Sequence, residues 1–115
     1  MNYAPILIPT LNRYNHLKRC VESLAKCTHA DKTDLFIALD YPLKEEHWEG
    51  YRKIKDYVSS IEGFNTVTII QRDHNYGPVE NFSNAQNQIY EKYDRIICSE
   101  DDNEFSPNFL DYINK

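Results

Sequence analysis

The sequence lacks long hydrophobic runs and the glycine-rich loops of common cofactor sites. No apolar stretch approaches the ~20 residues that a transmembrane helix needs, so we expect no membrane span. Residues 1–5 lack the basic start and apolar core of a signal peptide. The chain has three glycines, and neither GxGxxG nor GxxxxGK[ST] occurs, which argues against dinucleotide and P-loop sites.

The sequence also has few cysteines and no excess of positive charge. Cys20, Cys27 and Cys98 are an odd number without CxxC spacing, which favours neither a disulfide framework nor a zinc site. Reduced, mostly buried thiols are typical of a cytoplasmic protein, because disulfides persist mainly in oxidising compartments. The net charge of -5 argues against a nucleic-acid partner, whose phosphates attract basic surfaces.

The residues that are present predict one α/β domain. The 41% hydrophobic content of the 115 residues is enough for a core. Short apolar runs predict strands over residues 4–9, 34–40, 66–70 and 95–99, and apolar residues three and four apart predict a helix after each. This alternation predicts a Rossmann-like, mainly parallel sheet of about four strands flanked by helices.

Helix ends and faces are also predictable from residue chemistry. Asn15 and Ser106 are expected to cap the first and fourth helices, with Pro107 at the first position of the fourth. Gly63 is expected to end the second helix. The third helix is expected to start near Pro78 and to bury a face made of Val79, Phe82, Gln86, Ile89 and Tyr93.

Polar residues follow each predicted strand. Because parallel sheets bind ligands at the carboxyl ends of their strands, we expect these residues to converge on one site. They are Thr10, Asn12 and Arg13 after the first strand, Asp40 after the second, Arg72, Asp73, His74 and Asn75 after the third, and Glu100, Asp101 and Asp102 after the fourth.

The three consecutive acids are the most informative of these segments. Adjacent carboxylates are costly unless a cation neutralises them, and oxygen ligands suit Mg²⁺ or Mn²⁺ carrying a phosphorylated ligand. If the strand stays extended, Glu100 and Asp102 point to one side and Asp101 to the other. The alternative is a solvated acidic turn.

Four other residues have a functional and a simpler interpretation. Arg13 suits a bidentate phosphate contact or a solvated position at a helix start. Asp40 suits a base N–H or a ribose hydroxyl, or it forms a turn. His74 suits phosphate or ribose, or it is merely exposed. Gly77 belongs to a turn and also allows a ligand to approach the backbone.

These segments resemble the GT-A fold glycosyltransferases of family 2. Residues 6–13, ILIPTLNR, resemble the opening strand of that family, written as apolar residues followed by P-T-x-N-R. Residues 72–77 resemble its N-x-G segment, and Glu100-Asp101-Asp102 resembles its D-x-D metal motif. The E-D-D form looks most like the N-acetylglucosaminyltransferase I group.

The resemblance implies a role for each segment. It implies that Asp102 binds the metal, that Glu100 and Asp101 meet ribose or donor sugar, and that Asp40 holds the base, expected to be uracil. The other implied nucleotide-sugar contacts are Pro9 and Thr10 at the base pocket, Arg13 at the diphosphate, and the loop with Arg72, His74, Asn75 and Gly77 closing over the nucleotide.

The resemblance also implies a donor-binding glycosyltransferase domain. Residues 1–115 would form its amino-terminal part, with the acceptor-binding half and the catalytic base lying beyond residue 115. The expected ligand is a nucleoside-diphosphate sugar, notably a UDP-sugar, whose sugar the full enzyme transfers to a hydroxyl of a glycan, lipid or protein. This part alone is expected to be inactive and able to form a homodimer through its exposed edge.

Two other functions remain open from sequence. A nucleotidyltransferase of related topology would bind a nucleoside triphosphate through its metal. Such enzymes usually carry a glycine- and Lys/Arg-rich loop after the first strand, whereas residues 10–15 contain no glycine. A non-catalytic binding module is the other alternative, although the intact acidic cluster argues against a decayed site.

Overall fold

Over residues 3–114, four strands and four α-helices alternate. The structure, a computed structural model, describes residues 3–114. The elements in order are β1 (Ile6–Thr10), α1 (Tyr14–Ala25), β2 (Asp34–Leu39), α2 (Trp48–Val58), β3 (Thr66–Gln71), α3 (Pro78–Tyr90), β4 (Ile97–Cys98) and α4 (Phe109–Ile113). The sheet order is β3-β2-β1-β4, and every pairing is parallel. The predicted α/β class is confirmed.

The sheet is covered on both faces because its central strands are apolar throughout. In β1, Ile6 and Ile8 point to the cluster formed with α1 and α2, whereas Leu7 points to the cluster formed with α3. All three side chains are fully buried. Burial of alternating residues on opposite sides is what a two-sided parallel sheet requires.

Several predicted helix ends were wrong. Helix α1 starts at Tyr14, since the carbonyl of Arg13 already accepts a hydrogen bond from the Leu17 amide, so Asn15 lies inside the helix. Helix α4 starts at Phe109, whose amide donates to the Ser106 carbonyl. Ser106 and Pro107 therefore form the turn before α4.

The second helix also ends earlier than predicted. Helix α2 ends at Val58, and Gly63, with φ of 99°, lies in the loop that follows. The Ser59 and Ser60 hydroxyls donate to the carbonyls of Asp56 and Tyr57 at 3.0 and 2.7 Å. These serine bonds satisfy carbonyls of the last turn, so the helix ends without a glycine cap.

Two further findings concern the cysteines and the helices. Cys20 and Cys27 are buried and Cys98 is exposed, and all three are free thiols. Over residues 3–114, no helix combines the length and apolar character that a bilayer crossing requires.

Gly50 sets the distance between α2 and the loop that follows β1. A Cβ atom at this position would lie 1.9 Å from the carbonyl oxygen of Asn12 and 2.8 Å from its carbonyl carbon. Both are backbone atoms, which cannot rotate away. Gly50 thus allows α2 to support the loop that carries Arg13.

We predict that Gly50→Ala lowers the free energy of unfolding by about 1–3 kcal/mol, the usual cost of overpacking. Alanine has a higher helix propensity than glycine, so propensity alone would raise the free energy of unfolding by about 1 kcal/mol. Urea unfolding measures the difference, with Glu49→Ala, an exposed change in the same helix, as the control. A stabilised Gly50→Ala variant would contradict the close approach.

Candidate functional site

A cavity of about 450 Å³ lies at the carboxyl ends of the strands. Parallel strands bring these ends to one edge of the sheet, where α/β proteins bind ligands. The residues that line it come from the segments after β1, β2 and β4 and from the start of α3: Pro9, Thr10, Leu11, Asn12, Arg13, Asp40, Pro78, Asn81, Glu100, Asp101 and Asp102.

An ion pair between Arg13 and Asp101 joins two walls of this cavity. Asp101 is only 4% exposed. Its Oδ1 pairs with the Arg13 guanidinium, and its Oδ2 accepts a hydrogen bond from the Thr10 hydroxyl at 2.9 Å. Arg13 Nη1 also lies 3.8 Å from Asp102 Oδ2. The buried carboxylate is therefore neutralised, as a charge removed from water requires.

The acidic segment is a turn and does not continue the strand. Strand β4 ends at Cys98, and residues 101–102 are in a turn in which the Asn103 amide approaches the Glu100 carbonyl at 3.4 Å. The condition that the strand stays extended is not met, because β4 pairs with β1 over only two residues. Burial still differs along the segment: Asp101 is buried, and Glu100 and Asp102 are exposed.

The carboxylates fit a divalent cation only together with oxygen ligands from a phosphorylated molecule. Over residues 3–114, no three His, Cys, Asp or Glu side chains converge as a metal cluster. Asp101 and Asp102 both face the guanidinium of Arg13, so a positive charge is already accommodated between them. Mg²⁺ usually takes one or two carboxylates together with substrate phosphates and water. The pair fits such a cation if a phosphorylated ligand supplies the remaining oxygens.

Asp40 anchors the loop between β3 and α3. Its Oδ1 accepts hydrogen bonds from the amides of Tyr41 and Tyr76 at 2.8 Å, and its Oδ2 accepts one from the Gly77 amide at 3.1 Å. The carboxyl group is 4% exposed. Three backbone donors satisfy it, so Asp40 fixes the loop that begins α3 against the end of β2.

Arg72 contacts α3 and is not among the residues that line the cavity. Its Nε and Nη2 donate to the side-chain and main-chain oxygens of Asn81 at 2.8 and 2.9 Å, and its Nη1 donates to Asn84 Oδ1 at 2.6 Å. The guanidinium carbon also lies 4.3 Å from the centre of the Tyr76 ring. Arg72 thus braces the loop and the helix against each other.

Of the eleven residues to which the resemblance assigns a role, the structure brings seven together and leaves four outside the cavity lining. His74 is exposed, and its Nδ1 lies 2.7 Å from Asp73 Oδ1. Asn75 Nδ2 donates a hydrogen bond to the Tyr41 carbonyl at 2.7 Å. The seven that line the cavity are Pro9, Thr10, Arg13, Asp40, Glu100, Asp101 and Asp102, and the four outside are Arg72, His74, Asn75 and Gly77.

Sequence reasoning missed Asn81, a cavity residue that is 2% exposed. Its amide donates to the Ala38 carbonyl at 3.0 Å while its oxygen accepts from Arg72. Asn81, Ala85 and Ile89 form the buried face of α3, whereas Val79, placed on that face by prediction, is 79% exposed. The other apolar members of the predicted face are confirmed, since Ile89 is buried and Phe82 and Tyr93 pack against the same cluster. The spacing of Asn81, Ala85 and Ile89 was a usable signal for Asn81.

A cysteine lies behind the acidic turn. Cys20 Sγ is 3.8 Å from Ser99 Oγ and 3.7 Å from the Glu100 carbonyl. Burial, which outweighs the hydrogen bond from Ser99, raises the pKa of this thiol to about 11. Cys20 is therefore protonated at neutral pH and packs as a small apolar residue.

A larger cavity, of about 730 Å³, lies at the opposite end of the strands. Its wall includes Asp34, whose carboxylate accepts hydrogen bonds from Tyr93, Asn65 and Thr66. Burial raises the pKa of Asp34, but these three bonds outweigh it and leave the pKa below its ordinary value. The bond to Asp34 raises the pKa of Tyr93 to about 12. Asp34, Asn65 and Tyr93 are thus committed to one another at this cavity, whereas the polar residues that follow the strands converge on the smaller one.

Comparison with known proteins identifies the family. The sequence pattern described as glycosyl transferase family 2 matches residues 6–113. The chain belongs to glycosyl transferase family 2. No curated protein sequence matches the chain.

A solved structure supports the same fold. The chain is similar to the crystal structure of S. aureus TarS, with a TM-score of 0.69 and 15% sequence identity. The match covers 96% of this chain and 18% of TarS. At this identity the likeness concerns the fold, and the chain corresponds in length to a small part of TarS.

We predict that Asp40→Asn loosens the loop of residues 75–77, because an amide oxygen cannot replace both carboxylate oxygens as acceptors. Hydrogen exchange at the Tyr76 and Gly77 amides should become faster, and the free energy of unfolding should fall by about 1–3 kcal/mol. Asp73→Asn, a change at an exposed neighbour of that loop, serves as the control. Unchanged protection of both amides would contradict the anchoring role.

Proposed function

We propose that this chain is the donor-binding part of a metal-dependent glycosyltransferase that takes a UDP-sugar. In this proposal the full enzyme transfers the sugar to an acceptor hydroxyl. The supporting observation is the cavity at the carboxyl edge of the sheet, where Arg13, Asp40 and the acidic turn converge in a family 2 domain.

The charges around the cavity suit a nucleoside diphosphate. Arg13 is half exposed and carries two donors that match phosphate oxygens. Asp102 is also partly exposed and is free to turn its carboxylate toward a cation shared with the diphosphate. Such a cation, Mn²⁺ or Mg²⁺, would neutralise charge on the departing nucleoside diphosphate.

The remaining contacts follow from position. Pro9 and Thr10 line the cavity beside Asp40, where a base would lie against the end of β1. Asp40 Oδ2 accepts one amide and retains a lone pair for an N–H such as that of uracil. In this proposal Glu100 and Asp101 meet hydroxyl groups of ribose or the donor sugar. Residues 72–77 form the adjacent loop, with exposed His74 available to close over the nucleotide.

The finer parts of this proposal concern the complete enzyme. The E-D-D motif suggests a hexosyl- or N-acetylhexosaminyltransferase, with a glycan, lipid or protein acceptor. We assign no base for the acceptor hydroxyl to this chain, and we expect it to bind donor without transferring sugar on its own. A cytoplasmic location and a homodimer through the exposed edge stay predictions.

We predict that UDP binds this chain in the presence of Mn²⁺ and that EDTA removes the binding. Asp102→Ala should weaken it at least about ten-fold, because a bound cation loses a charged ligand. Isothermal titration calorimetry measures both effects, and Asp56→Ala, an exposed change on α2, is the control.

Three outcomes would contradict the proposal. Absence of UDP binding with Mn²⁺ would contradict the donor site. Equal binding in EDTA, or in the Asp102→Ala variant, would contradict the metal role. Tighter binding of UTP than of UDP and UDP-sugars would indicate a nucleotidyltransferase instead.

A further inference from the structure

Arg13 carries the opposite charge to the other ionisable residues that line the cavity. Of the described residues that line it, Arg13 is the sole cationic one, and Asp40, Glu100, Asp101 and Asp102 are acidic. Its guanidinium pairs with Asp101 and lies 3.8 Å from Asp102. The protein itself thus supplies the positive charge that the acidic turn needs.

The two partners of this ion pair differ in freedom. The Asp101 side chain is 5% exposed and held by Thr10, whereas the Arg13 side chain is 50% exposed. Arginine has a long flexible stem, and the first turn of α1 leaves its guanidinium at the cavity wall. When the pair opens, Arg13 is the partner that moves. Asp101 then needs another cation, because an unpaired buried carboxylate is costly.

A diphosphate can replace Asp101 as the partner of Arg13, because its oxygens suit the same bidentate contact. Phosphate oxygens match the guanidinium fork as carboxylate oxygens do, and a diphosphate carries more negative charge than one carboxylate. Arg13 already lies on the cavity that would hold the nucleotide. Moving from Asp101 to a diphosphate would exchange one charged hydrogen bond for another.

We propose that Arg13 is an internal counter-ion that couples metal binding to nucleotide binding. In the free chain the guanidinium holds Asp101 and Asp102, and in the presence of the diphosphate it moves to the phosphate and releases both carboxylates. This inference rests on the proposed donor site. It assigns Arg13 a second role besides contact with phosphate, namely competition with the cation.

The coupling has a direct consequence for binding of the metal alone. Without nucleotide, a divalent cation must displace or adjoin a guanidinium that already neutralises the acids, so its affinity is low. With nucleotide, that obstacle is removed and the affinity rises. By thermodynamic linkage, the metal raises the affinity for UDP by the same factor.

The test compares Arg13→Gln with the unaltered chain. Mn²⁺ binding is measured by electron paramagnetic resonance without nucleotide and then with saturating UDP. Removal of the guanidinium should tighten binding of Mn²⁺ alone by about ten-fold and should therefore lower the enhancement by UDP by about the same factor, a change within the usual range of coupling. The part of the enhancement that comes from phosphate oxygens on the cation should remain. Arg13→Lys keeps the charge and should leave Mn²⁺ alone weakly bound.

Arg19→Gln is the matched control. Arg19 lies on α1, is exposed, and is 3.6 Å from Glu104, outside the residues that line the cavity. This variant changes the net charge by the same amount as Arg13→Gln. It should leave both Mn²⁺ affinities unchanged, which separates local competition from a general effect of charge.

A second measurement does not depend on how well the variants fold. The Arg13 Nε–H signal of the unaltered chain is followed by NMR with Mg²⁺ alone and with Mg²⁺ plus UDP. We expect it to shift when UDP is added, as the guanidinium changes partner. An unmoved signal would overturn the inference.

The outcomes separate this inference from the function on which it rests. Unchanged or weaker binding of Mn²⁺ alone in Arg13→Gln would overturn the counter-ion role while UDP binding to the unaltered chain persists. The inference would also be overturned if Arg13→Gln binds UDP more weakly but Mn²⁺ still raises its affinity for UDP by the same factor as in the unaltered chain. Absence of metal-dependent UDP binding in the unaltered chain would overturn the donor site and this inference together.

Discussion

The Arg13–Asp101 ion pair is the interaction on which the site depends. It joins the loop after β1 to the turn after β4 across 88 positions of sequence. Thr10 adds a hydrogen bond to the same carboxylate, and Gly50 lets α2 support the backbone just before Arg13. A buried carboxylate needs such partners, so its burial and the position of the β1 loop depend on each other.

The other side of the cavity is held by hydrogen bonds to main-chain groups. Asp40 gathers the amides of Tyr41, Tyr76 and Gly77, and Asn81 links Arg72 to the carbonyl of Ala38. These bonds fix the start of α3 against the end of β2. The wall near Asp40 is therefore anchored, while Arg13 and Asp102 are exposed and carry the charges that the proposed diphosphate and its cation would meet.

The fold could be predicted because the sheet follows simple periodicities. The short apolar runs marked all four strands, and their alternation with amphipathic segments led to a parallel sheet with its polar residues at one edge. Prediction failed where tertiary contacts decide. Asn15 and Ser106 have capping chemistry, but the actual helix starts depend on which carbonyl the first helical amides reach.

Side-chain direction was the other limit on prediction. Arg72 follows β3 as expected, yet it turns toward Asn81 and Asn84 in α3, which sequence position cannot reveal. Asn81 was missed because it is polar, whereas the buried face of α3 was predicted mainly from apolar side chains. By contrast, Thr10, Arg13, Asp40 and residues 100–102 line one cavity, because the ends of the strands determine where they lie.

The central claim is that the carboxyl edge of the sheet is a donor site with a shared cation. A crystal structure of this chain with UDP and Mn²⁺, recorded at the manganese absorption edge, tests it most directly. The account predicts an anomalous peak beside Asp102 and the diphosphate, within the cavity walled by residues 9–13 and 100–102. A peak elsewhere, such as beside Asp34 at the opposite end of the strands, or UDP bound outside this cavity, would contradict it.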